Sequence, residues 1–234
     1  MIKFDESKPL VYLHLFKTAG STIANFFEHW FKGPNLLNPN GRYQPHHDHA
    51  TKRVIRCSQE NIDRLKTYNV YNPVFFGHFD MTGNFKFPPD CNQFITMLRD
   101  PFDIEVSAFY FRTAVLKDEL TPQTNNIEDY ILNSDYHYKF TNVFTKQKLT
   151  LENYREIINK YFVMIGSMKN YNKSLELLQS SLDLKIPETL LNLKINERAK
   201  VDNFLSPDYL RELHREKWPL EYAIYDYVNN LYEY

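Results

Sequence analysis

The stretch that most constrains this chain is Leu10 to Trp30, LVYLHLFKTAGSTIANFFEHW. It opens with an apolar run, Leu10-Val11-Tyr12-Leu13-His14-Leu15-Phe16, whose branched and aromatic side chains suit a buried strand. The run breaks at Lys17-Thr18-Ala19-Gly20-Ser21-Thr22, and from Thr22 onward Ile23, Phe26, Phe27 and Trp30 recur at helical spacing. A strand that turns through small residues into a helix aims unpaired backbone N–H groups, and the positive end of the helix dipole, at one point. Such a point binds anions, phosphate above all. Gly20 allows close backbone approach, Ser21 and Thr22 add hydroxyl donors, and Lys17 adds a point charge. This is not a Walker A loop, whose lysine stands at the far end with a metal-binding hydroxyl directly after it. Here the lysine comes first and no second glycine widens the loop. The plainer alternative is an ordinary strand–helix turn with a surface lysine.

Two further strand ends carry polar residues. Pro73-Val74-Phe75-Phe76-Gly77 reads as a second buried strand, followed by His78-Phe79-Asp80. Chemistry in α/β folds collects at strand ends beside a nucleotide-type loop, so His78 is the histidine singled out here, against the alternative of a hydrogen-bonded core residue. Phe94-Ile95-Thr96-Met97-Leu98 reads as a third strand. After it, Arg99-Asp100-Pro101 predicts a helix start with Asp100 as N-cap, Pro101 at N1 and Asp103 at N3, continuing through Ile104, Val106, Phe109 and Tyr110. Arg99 then stands at a strand end beside a helix N-terminus, a second anion-binding geometry. A structural Arg99–Asp100 pair is the competing reading.

Between these pieces, residues 33–51 are rich in turn signals and carry His46, His47 and His49 with Asp48. No fourth ligand is evident, so no metal site is assigned. Ser58 opens a short amphipathic pattern through Ile62, Leu65 and Tyr68. Residues 120–149 read as polar and irregular, with helical pieces around 127–132 and a possible role over the site or against an acceptor. Residues 151–160 read as helix, 161–166 as a fourth strand, 170–182 as helix and 191–195 as a short strand. Ser206-Pro207-Asp208 caps a helix reaching Trp218, and Pro219 starts the last one. This order predicts a mainly parallel central sheet flanked by helices, a three-layer α/β fold.

The 234 residues suit one domain, residues 1–234, with 43% hydrophobic and 24% charged residues. A net charge of −1 argues against nucleic acid as a partner, so an anion site must be a local cluster. The two cysteines, Cys57 and Cys91, form no metal-spaced pair. With no signal-like N-terminus and no apolar run long enough to span a membrane, the expectation is a cytoplasmic chain. Oligomeric state is not legible.

Taken together, the motifs resemble those of the PAPS-dependent sulfotransferases, in particular the carbohydrate-type group that includes heparan-sulfate sulfotransferases and small bacterial relatives. Lys17-Thr18-Ala19-Gly20-Ser21-Thr22 resembles that family's 5′-phosphosulfate loop. Arg99-Asp100-Pro101, with Ser107 eight residues after Arg99, resembles its 3′-phosphate motif, and Gly77-His78-Phe79 lies where such enzymes often keep a catalytic histidine. Residues 166–178 and 205–225 also resemble family segments. Three positions depart from the pattern: Ile104 where an arginine is frequent, Lys169 for an acidic residue, and Glu221 for a late aspartate. The resemblance implies a P-loop-like fold and transfer of a sulfuryl group from PAPS to a hydroxyl of a saccharide, with PAP as product. It assigns Lys17 and His78 to catalysis, and Lys17, Thr18, Ala19, Gly20, Ser21, Thr22, Arg99 and Ser107 to PAPS binding. No metal is implied. The partner would be a glycan or glycolipid acceptor. The rival readings are a P-loop nucleotide kinase or NTPase, and a non-catalytic nucleotide- or glycan-binding domain.

Overall fold

The computed structural model of the chain describes residues 1–18, 22, 23, 26, 27, 30, 87, 89–111, 126–133, 135, 139–186 and 208–232, together with the backbone of 54–56 and 74–77. In chain order the elements are β1 (Leu10–Leu13), β2 (Val54–Arg56), β3 (Val74–Gly77), β4 (Phe94–Leu98), α1 (Pro101–Tyr110), α2 (Ile127–Asn133) and α3 (Phe140–Val143). They continue as α4 (Tyr154–Tyr161), β5 (Phe162–Ser167), α5 (Tyr171–Leu182), α6 (Asp208–Lys217) and α7 (Pro219–Asn230). The strands form one sheet in the order β2-β3-β1-β4-β5, and each ladder is parallel.

Alternation along β1 divides the core between the two faces of this sheet. Val11 and Leu13 face a cluster with Phe94, Leu98, Phe162, Ile157 and Ile158 of α4, and Ile224 and Val228 of α7. Leu10 and Tyr12 face the other way, against Ile23, Phe26 and Phe27, and against Leu175, Leu178 and Leu182 of α5. Burial on both faces explains why the strands are continuous apolar runs rather than alternating ones. This is a three-layer α/β fold around a parallel sheet, as the order of elements predicts, and of the P-loop-like kind that the resemblance implies.

The β4–β5 ladder carries a bulge. Phe94 pairs with Phe162 but Ile95 pairs with Met164, so Val163 is passed over. Val163 and Met164 therefore turn to the same face, and both belong to the α5-side cluster. Opposite Met97 stands Gly166, where a Cβ would lie 2.1 Å from the Met97 sulfur, so the Met97 side chain fills the space a larger residue would take.

Several boundaries differ from the sequence reading. The first strand ends at Leu13 rather than Phe16, because the Thr96 hydroxyl takes the Leu13 carbonyl at 2.8 Å and the chain then leaves the ladder. The strand expected at 161–166 begins one residue later, since Tyr161 completes α4. A fifth strand, β2, was not foreseen, and three residues give periodicity too little length to register. Within the stretch read as polar and irregular, Phe140, Val143, Phe144 and Leu149 are buried in the main core. The expected segments at 58–68 and 191–195 lie outside the described residues.

Candidate functional site

Leu13 is flanked by Gly77 of β3 on one side and Thr96 of β4 on the other. The chain therefore leaves three adjacent parallel strands at one edge of the sheet, after Leu13, after Gly77 and after Leu98. In open parallel sheets this carboxyl edge is where ligands bind. The sequence motifs built on Lys17 and Arg99 meet there.

The turn after β1 is tied down by two features. Thr18 is fully buried, and its hydroxyl donates to the Leu15 carbonyl at 2.9 Å. Lys17 takes a left-handed backbone conformation at φ 61°, unusual for a residue with a side chain and typical of over-determined functional turns. Phe16 packs beside Ile104, Ala108 and Trp218 and meets the Phe111 ring at 5.6 Å, nearly edge-on. The Lys17 ammonium stands 5.2 Å from the centre of that same Phe111 ring. Beyond the turn, Thr22 and Ile23 are helical. Ala19, Gly20 and Ser21 lie outside the described residues.

At the neighbouring strand end, Asp100 caps α1 as expected, its Oδ1 accepting from the Phe102 and Asp103 amides at 2.9 and 3.3 Å. The same carboxylate meets Arg211 of α6 at 2.7 Å, and Arg211 also reaches Asp103 at 2.6 Å. Burial pushes the Asp100 carboxyl above its ordinary value, with Arg211 opposing that shift. The strongest partner of the Arg-Asp-Pro aspartate is thus an arginine far along the chain. Arg99 is half-buried and lines a small pocket with Leu15, Ile104, Phe140, Glu221 and Tyr225. Ser107 is half-buried two turns into α1, and Phe111 follows it by four residues, on the same face.

Two buried polar groups brace these elements. Glu221 accepts from the Phe140 amide through Oε2 at 2.9 Å and from the Thr141 amide through Oε1 at 3.0 Å, holding the start of α3 against the Arg99 pocket. Its burial pushes the carboxyl upward, against the pull of those hydrogen bonds. His214 of α6 bridges Glu105 of α1 at 2.7 Å and the Tyr222 hydroxyl of α7 at 3.0 Å. Phe111 and Glu221 entered no sequence motif as site residues, because each acts through a partner distant in the chain. His78, the other candidate for catalysis, lies outside the described residues, as do Asp80 and the His46, His47 and His49 segment.

No protein-family model matches this sequence, and no curated protein does. Among solved structures, a crystal structure of the mouse sulfotransferase SULT7A1 complexed with PAP is similar at a TM-score of 0.46 and 13% identity. The likeness covers 86% of this chain but only 66% of the mouse chain, just under two thirds of its length.

Proposed function

We propose that this chain, as one domain, is a PAPS-dependent sulfotransferase acting on a hydroxyl, with a saccharide as the acceptor class. The observation that supports it best is the meeting of two anion motifs at one edge. Lys17, on the turn after β1, lies against the helix that begins just after Arg99 and carries Ser107. Two cations at adjacent strand ends, with a hydroxyl two turns into the helix that follows one of them, fit a nucleotide with phosphate at both its 5′ and 3′ sides. The saccharide class rests on the resemblance of the motifs to the carbohydrate-type group.

In this reading the loop amides from Thr18 to Thr22 hold the phosphosulfate, while Arg99 and Ser107 hold the 3′-phosphate. The acceptor oxygen forms a bond to sulfur as the bond from sulfur to the bridging oxygen breaks. The electron pair of that bond stays on the PAP phosphate, where the Lys17 ammonium offsets the developing charge. The acceptor proton passes to His78, whose ordinary pKa lies near working pH. Positioning and charge stabilisation carry such a transfer, by analogy with phosphoryl transfer.

The test is transfer of labelled sulfate from PAPS across a panel of glycans, phenols and peptides, with PAP binding followed by calorimetry. Arg99→Ala should mainly weaken PAP binding. Lys17→Ala should mainly slow turnover, because its contact strengthens as charge develops. Unchanged PAP affinity in the Arg99 variant would remove the 3′-phosphate assignment. Protection by ATP with Mg²⁺ but not by PAP would move the reading to a kinase.

A further inference from the structure

We propose that Phe111 is a positioning residue for Lys17, its ring holding the ammonium between the turn after β1 and the end of α1. This rests on the sulfotransferase reading for its kinetic consequence, though not for the contact itself. Three observations converge on it. The ammonium lies 5.2 Å from the Phe111 ring centre, within the range at which a ring quadrupole attracts a cation. Phe111 is itself fixed, since it closes α1, its amide reaching the Ser107 and Ala108 carbonyls, and it packs edge-on against Phe16. The positive φ of Lys17 departs from the extended path of β1, so the turn's own backbone sets where the side chain starts.

The chemistry explains why such a ring would matter. A lysine side chain carries four flexible bonds, and an ammonium that must meet charge only as it develops gains rate from being held near that point beforehand. An aromatic face attracts the ammonium without offering a counter-ion. A carboxylate in its place would neutralise the charge the reaction needs. Phe111 and Ser107 stand on one face of α1, so the ring that holds Lys17 and the hydroxyl assigned to the 3′-phosphate share a support.

Phe111→Leu keeps apolar bulk and removes the ring, and Phe111→Tyr keeps the ring. Turnover with the best acceptor of the panel should fall about fivefold in Phe111→Leu, the rate equivalent of one cation–π contact, with PAP affinity unchanged. Phe111→Tyr should restore it. In a Lys17→Ala background, Phe111→Leu should change nothing more. An equal loss in that background would show that the ring acts by packing on Phe16, and would overturn the proposal. Unaltered turnover in Phe111→Leu would do the same. If Phe111→Leu does not fold, Phe111→Met takes its place in the cycle.

A second readout is independent of the reaction. Lysines labelled by reductive ¹³C-methylation should show a Lys17 signal, assigned by its loss in Lys17→Arg, displaced by the ring current and returned to the bulk position in Phe111→Leu. If wild-type protein neither binds PAP nor transfers sulfate, the sulfotransferase reading fails and this signal still decides the contact. A Lys17 signal at the bulk position in the wild type would sink the positioning role whatever the activity.

Discussion

Thr18 shows how one side chain can decide the shape of a loop. Its hydroxyl has no access to solvent and donates to a carbonyl three residues back, in the turn where Lys17 adopts φ 61°. A left-handed residue with a Cβ persists only where its surroundings hold it. Thr18→Val has nearly the same shape but leaves the Leu15 carbonyl without that donor, at a cost of about 1–3 kcal/mol. Thr18→Ser should recover most of this loss in urea unfolding. Equal stability of the valine and wild-type proteins would mean that the turn is held by Phe16 packing instead.

At the scale of elements, the short helix α3 depends on a residue from the end of the chain. The forked carboxylate of Glu221 accepts both amides at its start, and Phe140 and Val143 then reach the core. Glu221→Ala strands two amides, and should lower stability by roughly 2–4 kcal/mol. The pH dependence has a definite sign. Burial raises the folded-state pKa of Glu221 above its ordinary value of 4.5. The folded protein thus keeps this proton to higher pH than the unfolded chain. Its contribution is fully present below the ordinary value and is lost as pH rises through the raised one. Glu221→Gln should therefore flatten the decline in unfolding free energy on the alkaline side of that value. A pH profile parallel to wild type would assign the decline to another carboxyl, with Asp100 next, since its pKa is also raised by burial. α1, α6 and α7 are joined through Glu105, His214 and Tyr222, so the support of Ser107 and Phe111 is braced from two other helices.

Over the whole molecule, one parallel sheet with apolar clusters on both faces leaves few ways to lose one layer without the other. The chain should unfold in a single transition, with near- and far-ultraviolet signals coinciding. A nucleotide that binds only the folded state adds to this. PAP at a hundred times its dissociation constant contributes about 2.7 kcal/mol, which for a domain of this size raises the melting temperature by about 5–10 °C. Two separated transitions, with PAP moving only one, would divide the chain into two domains. Among the described residues no helix is long and apolar enough to cross a membrane.

By itself the sequence determined the kind of fold and which strand ends carry the candidate residues. Short continuous apolar runs rich in branched and aromatic residues, bounded by turn signals, suit strands buried on both faces. Asp100 and Pro101 specify a helix start through their own hydrogen bonds and fixed φ, and both appear as expected. Lys17 and Arg99 were legible as candidates for the same local reason, each standing where a strand ends and a loop turns toward a helix. The tertiary structure decided everything that depends on residues distant in the chain. It put β1 between β3 and β4, so that the two motifs open on one edge. It gave Asp100 to Arg211, the start of α3 to Glu221, and the Lys17 ammonium to Phe111. Periodicity and capping arise from bonds within a few residues, and so can be read in one dimension. Contacts between side chains far apart in sequence arise only when packing brings their elements together.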